Sequence, residues 1–275
     1  MSVTAEDSRD EQMAPAMESQ QRAIPSWAIT LCSLLVLMVV WQAAGPYIDP
    51  LMFSYPSQIF GSFLEMMSNG SLPRAFLQSV QPFLAGYLLA AVVGVPTGLV
   101  LGRYRFMEAA FGIYITAGYA TPLIALVPLL MVWFGLGFLV KMVIVFLLAF
   151  FPVCINTWFG VKAVPKTLVE VGTAFCAPPS KIMKQIILPA TLPYIMAGLR
   201  LAVGKAVIAM IIAEFLTAIS GLGGIIINAA NSFRTSEMFV PIILVMILAV
   251  LLDKLLAWLE KKVAPWQSEI SGKSE

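Results

Sequence analysis

The sequence predicts an all-α membrane protein of six transmembrane helices, with both termini on the inner side and one large inner loop between the fourth and fifth spans. Three observations predict it. Apolar residues make up 60% of the 275 residues and charged ones only 12%, with a mean hydropathy of +0.89. A soluble domain carries about 25% charged residues to cover its surface. Apolar runs near the length that crosses a hydrocarbon core, about 20 residues, recur along the chain, and the charges gather at the joints between them.

The same composition excludes other classes. A net charge of +2 with no basic block leaves no footprint for nucleic acid. The absence of histidine removes HExxH metal sites and Ser-His-Asp triads. Gly204-Lys205 and Gly272-Lys273 lack the preceding glycine of a P-loop, so the chain has no nucleotide cradle of its own. Cys32, Cys154 and Cys176 are far apart and form no CxxC; the first two, set in apolar runs, read as small buried residues.

Residues 1–25 are polar and partly acidic, without the basic start and short apolar core of a signal peptide, and read as a disordered cytoplasmic tail. The six-span apolar region then runs over 26–262, and 263–275 form a second cytoplasmic tail. Spans are expected at about 27–44, 80–102, 111–134, 140–159, 192–215 and 239–259. Between the first two, Ile59, Phe60, Phe63, Leu64 and Met67 follow helical spacing and predict an amphipathic helix at the membrane surface.

Lysine and arginine set the orientation. With the N-terminus inside, twelve of the seventeen lie on inner segments and three (Arg74, Lys141 and Arg234) on outer ones. That bias predicts N-in and C-in. It makes 161–185 the largest inner loop and 217–237 an outer loop.

In the second span Gly86, Ala90, Gly94, Gly98 and Gly102 recur every four residues, and Gly198, Ala202 and Ala206 repeat the pattern in the fifth. Lipid supplies no hydrophobic force between helices, so small residues that let backbones approach do that work. The spacing fits close packing within one subunit or contact between subunits.

The inner loop, VKAVPKTLVEVGTAFCAPPSKIMKQIILPATLPYI, is far longer than an ordinary connection. Leu168, Val171 and Phe175, then Ile182, Ile186 and Ile187, mark two short helices joined at Pro178-Pro179. Their apolar stripe suits a partner's groove or a fold back onto the inner membrane face.

This loop resembles the EAA motif of the permease subunits of binding-protein-dependent ATP-binding-cassette (ABC) importers: E-A-A, three residues, G, nine residues, I-x-L-P. Glu170 stands first, Gly172 at the second Ala, Cys176 at the Gly, and Ile186, Leu188 and Pro189 close the motif. The turn at Cys176 departs from the pattern, since a non-glycine residue is poor at positive φ. Either φ is negative there or the turn has moved to Pro178-Pro179. The likeness extends over about 55–262. Pro122–Gly137, the run from Phe151-Pro152 to Val164, and LPATLPYIMAGLRLAVGKAVIAMIIAEF with SGLGGII resemble the branch importing sulfonates, taurine, nitrate or pyrimidine-type thiamine precursors.

The resemblance implies a multi-pass inner-membrane permease that is not itself an enzyme. It implies a homodimer, a cytoplasmic P-loop ATPase subunit that uses the ATP, and an extracytoplasmic solute-binding protein. This chain would bind no cofactor and no metal. Residues 161–189 would be the coupling loop, with Glu170 facing an ATPase arginine or, read plainly, serving as a helix-end carboxylate near the N-terminal dipole.

Arg200, Lys205 and Glu214 fall within the fifth span, where each charge costs roughly 2.5–3.5 kcal/mol. Arg200 and Glu214 share a helix face about 21 Å apart and cannot pair on a straight helix. They fit a polar pathway or its gates, or snorkelling with internal hydrogen bonds. Arg200, reckoned at mid-membrane, should face the bundle interior. Pro122 and Pro128 free backbone carbonyls in the third span, as a kink or as cavity lining. The outer loop, with Ser220-Gly221-Leu222-Gly223-Gly224, either dips into the bundle or is a plain connection.

A secondary transporter or channel is the competing class; it should show a repeated half with paired broken helices, and no clear repeat is visible. A membrane-embedded enzyme would need a cluster of catalytic groups that the sequence lacks. Within the importer class, the expected cargo is a sulfonate-, taurine- or nitrate-like anion, the alternative a pyrimidine-type or other neutral solute.

Overall fold

A computed structural model describes residues 26–49, 51–217 and 220–265. The sequence expectations for the tails at 1–25 and 266–275 lie outside the described residues. In chain order the helices are α1 (Ser26–Ala44), α2 (Pro56–Ser68), α3 (Ser71–Arg103), α4 (Arg105–Ala120), α5 (Val127–Phe134), α6 (Phe138–Lys162), α7 (Lys166–Ala174), α8 (Pro179–Ile182), α9 (Leu188–Thr217), α10 (Gly221–Asn231) and α11 (Thr235–Val263). No strand occurs among the described residues. Five helices are long and apolar enough to cross a membrane, and a sixth candidate is the bent pair α4–α5.

The core is the stack α3–α6–α9. Its buried seam holds Ala90 of α3, Val140, Ile144, Val145, Ala149 and Val153 of α6, and Ala202 and Ala206 of α9. The small-residue ladder of α3 faces α6 inside the same chain. A Cβ on Gly86 would stand 2.5 Å from the Met142 carbonyl oxygen, and one on Gly98 2.5 Å from that of Cys154. On the other side of α6, a Cβ on Gly198 would lie 2.8 Å from Asn156 Cβ. Both ladders therefore serve packing within one chain, with backbone against backbone.

Several boundaries differ from the hydropathy reading. α3 begins at Ser71, well before Val80, because its first turns are held by protein: Leu72 and Ala75 are buried with Ile59, Leu222 and Val240. α2 turns Ile59 and Met66 inward, not Met67, and packs on α11; Phe60, Leu64 and Met67 keep an exposed apolar face. Cys154 is buried as expected, but Cys32 is exposed on the peripheral α1.

The third apolar run is not one helix. α4 ends at Ala120, a single 3-10 turn covers Leu123–Leu126, and the segment Leu123–Phe134 that holds α5 leaves at 85° to α4. The break belongs to Pro122. Pro128 lies in the first turn of α5, where its missing N–H costs nothing.

The inner loop is half rigid extension. α8 continues through a π-helical turn, Met183–Ile187, into α9, so Pro179–Thr217 forms one 39-residue unit. The expected second short helix is the first part of the fifth span. Pro189 cannot donate to Gln185, and the widened turn accommodates that gap in the ladder. The outer loop also differs from a plain connection: α10 is a helix of 11 residues whose start, Gly221–Gly224, is buried.

Candidate functional site

α7 stands out from the bundle. Leu168, Val171 and Phe175 on its free face are 47%, 53% and 80% exposed, while Ile182 and Ile187 beneath it are buried against Val161. Gly172 is the point of closest approach: a Cβ there would lie 2.9 Å from Ile186 Cδ1 and 3.2 Å from Ile182 Cγ1. The apolar stripe thus divides into an inner half packed between α7 and α8 and an outer half that stays largely exposed.

The turn after α7 corrects both sequence expectations for Cys176. Its φ is +52°, so the chain keeps the left-handed turn without glycine. The Cys176 N–H donates to Thr173 O (2.9 Å) and the Ala177 N–H to Gly172 O (3.0 Å). This is the Schellman pairing that closes a helix C-terminus. Pro178-Pro179 only starts the next helix, with Pro179 in its first turn.

Glu170 is exposed, makes no ion pair among the described residues, and lies past the first turn of α7. The helix-dipole reading loses force there, because the dipole acts within the first turn. Glu170 borders a cleft of about 420 Å³ that Arg103, Lys162 and Lys166 also line. Lys162 is paired with Glu108 of α4. Leu188 and Pro189 open α9, directly after the π-helical turn that follows α8.

The intramembrane charges separate into three settings. Arg200 is not aimed at an empty interior: Nε and Nη2 donate to Asp253 Oδ1 (3.1 Å) and Oδ2 (3.3 Å), and Nη1 to Glu260 Oε2 (3.2 Å). Both carboxylates lie on α11, seven residues apart and thus on one face, a spacing that the sequence displays. Glu214 is fully buried. It accepts from Ser79 Oγ (2.7 Å) and the Gly223 N–H (2.8 Å), and Lys141 Nζ lies 3.5 Å away. Lys141 also donates to Ser220 Oγ (2.9 Å), Leu222 N–H to Ser79 Oγ (2.8 Å), and Gly221 N–H to Gln78 Oε1 (3.1 Å). The start of α10 is therefore capped by side chains of α3 and α9. Lys141, counted as an outer-loop charge from sequence, is a buried partner.

Lys205 is the third setting. Its Nζ lies 4.2 Å from the ring centroid of Tyr119, at a cavity shared with Thr121 and Pro122. The structure thus brings Lys205 and Pro122 together but keeps Arg200, Glu214 and Pro128 elsewhere.

The described residues thus form a packed helical bundle with five membrane-length helices, a sixth candidate in the bent pair and one short projecting helix, and among them no cluster of His, Cys, Asp or Glu is fit for a metal. The chain belongs to the family described as binding-protein-dependent transport system inner membrane component, which matches residues 94–265. It is 26% identical over 249 residues to the taurine transport system permease protein TauC of Escherichia coli, covering 88% of this chain and 90% of that one. It is 29% identical over 237 residues to the formylaminopyrimidine transport permease protein ThiX of Halalkalibacterium halodurans, covering 86% and 94%. The inward-facing MetNI methionine ABC transporter shares the fold: TM-score 0.55, 21% identity, 70% of this chain and 95% of that one. The protein is an ABC importer permease subunit, a multi-pass inner-membrane protein that is not itself an enzyme.

Proposed function

We propose that the chain forms the solute pathway of a homodimeric ABC importer, with six spans and both termini inside. A separate cytoplasmic ATPase would dock on α7, and a binding protein would deliver cargo from outside. A sulfonate-, taurine- or nitrate-like anion is the cargo this reading favours, over a pyrimidine-type or other neutral solute. One observation carries the coupling role: the α7 segment presents exposed Leu168, Val171 and Phe175 beside Glu170, which has no ion pair among the described residues, while Gly172 packs on the continuous helical unit that becomes α9. ATP-driven closure of two docked ATPases would draw the α7 helices together, and the stiff α8–α9 rod would carry that motion into the membrane. The relatives' named cargoes, taurine for one and formylaminopyrimidine for the other, fall on both sides of that choice.

The test is Glu170→Ala and Phe175→Ala, co-expressed with the ATPase subunit. Aromatic hot spots lose about 2 kcal/mol or more on truncation, so Phe175→Ala should weaken ATPase co-purification at least about tenfold. Glu170→Ala should insert normally yet abolish transport and weaken co-purification. Full transport by both variants would remove α7 from coupling.

A further inference from the structure

Arg200, Lys141 and Lys205 all lie within long helices, and they are not equivalent. Arg200 has two carboxylates and Lys141 has Glu214. Lys205 has none: no described carboxylate lies within salt-bridge distance of its Nζ, and its recorded partner is the Tyr119 ring. It is also close to the middle of α9, about 26 Å along the axis from Leu188 and about 18 Å from Thr217. That is too deep for easy escape to either interface.

This cation borders a cavity of about 300 Å³, at the small end of the roughly 300–1,000 Å³ range of small-molecule sites. The cavity lies at the break after α4, where Thr121, Pro122, Leu123 and Ile124 border it. Leu148 and Phe151 supply apolar walls. The Thr121 hydroxyl donates to Ala117 O (2.8 Å), so it offers the cavity lone pairs only. The ring of Tyr119 holds the ammonium at the rim without neutralising it.

We propose that this cavity is a cargo subsite in which the Lys205 ammonium, steadied by Tyr119, receives the anionic head of a small solute whose apolar body lies on Leu148 and Phe151. The assignment rests on the permease reading above and narrows its cargo to an anion of the sulfonate or carboxylate class.

The test uses the whole transporter, co-purified with its ATPase subunit, in a background with Cys32, Cys154 and Cys176 replaced. Thr121→Cys places an exposed thiol at the cavity. Its labelling by sulfonatoethyl methanethiosulfonate is compared with that by the trimethylammonioethyl reagent, each normalised to a free thiol. A focused positive site raises local anion concentration by at least about tenfold, so the sulfonate reagent should be favoured by that factor. Adding Lys205→Met should abolish the preference and Lys205→Arg should keep it. Butanesulfonate, but not butanol, should slow labelling when Lys205 is present.

Absence of a preference, or its survival in Lys205→Met, overturns the subsite. Protection by phosphatidylglycerol with none by butanesulfonate assigns the cation to lipid and also overturns it. Co-purification of the ATPase is read in the same samples. A subsite that fails while the ATPase stays bound leaves the permease reading intact, whereas loss of the ATPase from the parent protein strikes that reading instead.

Discussion

Glu214→Gln tests the buried pair that anchors α10. The carboxylate has no solvent exposure, and the side chain of its partner Lys141 is only 5% exposed. The amide is nearly isosteric with the carboxylate and could still accept from the Gly223 N–H and Ser79, so the lost quantity is the charge opposite Lys141. Breaking a buried pair from one side costs about 3–5 kcal/mol, because the remaining charge keeps its desolvation penalty. Lys141→Met should cost a similar amount from the other side. For a chain of this size each kcal/mol moves the midpoint of thermal unfolding by roughly 2–4 °C, so each single variant should melt about 6–20 °C lower. The double variant removes both charges and should melt no lower than the worse single, giving a large coupling energy in the cycle. Thermal unfolding of the purified protein in detergent, followed by monodispersity, measures all four. If the losses simply add, the pair is not the anchor and the argument from burial fails.

Two further substitutions probe the turn and the α9–α11 cluster. Cys176→Gly should be tolerated and should hold α7 at least as well, since relief of left-handed strain, about 1–2 kcal/mol, outweighs the added freedom of the unfolded chain, about 0.4–1 kcal/mol; a clear loss of ATPase affinity would contradict the observed turn. Arg200→Ala should lower the yield of folded protein, because Asp253 and Glu260 lose their shared cation, and Arg200→Lys should recover it only in part, lacking the fork that grips both Asp253 oxygens. Asp253→Asn with Glu260→Gln in the Arg200→Ala background should restore the yield, measured as monodisperse protein at matched expression; no restoration would mean that the cluster does not hold α9 to α11.

Much of this molecule could be read before any coordinates. Hydropathy located every long helix, since a membrane span must satisfy its backbone internally and clothe itself in apolar side chains. The four-residue glycine spacing announced close packing, and the patterning around Glu170 announced the short helix α7. Hydropathy misjudged the ends, however. It cannot separate residues buried by lipid from those buried by protein, so the first turns of α3 and the buried start of α10 looked like loop. Nor could hydropathy show what the charges of the fifth span meet. Arg200 and Glu214 share a helical face in projection, yet each had a partner on another helix, Asp253 and Glu260 for one and Ser79 and Lys141 for the other.

By itself the sequence determined the class, the number of apolar runs, the family motif and the three charges of the fifth span, Arg200, Lys205 and Glu214. Only the tertiary structure decided which of those charges are neutralised. It also decided that the ladder faces α6, that Cys176 takes the left-handed turn, and that the break falls at Pro122 and not at Pro128. The physical reason is one of range. Periodicity and composition record what each helix must do against its solvent. Charge pairing, close approach and cavities depend on which helices meet, and those meetings join residues as far apart in sequence as Ser79 and Glu214.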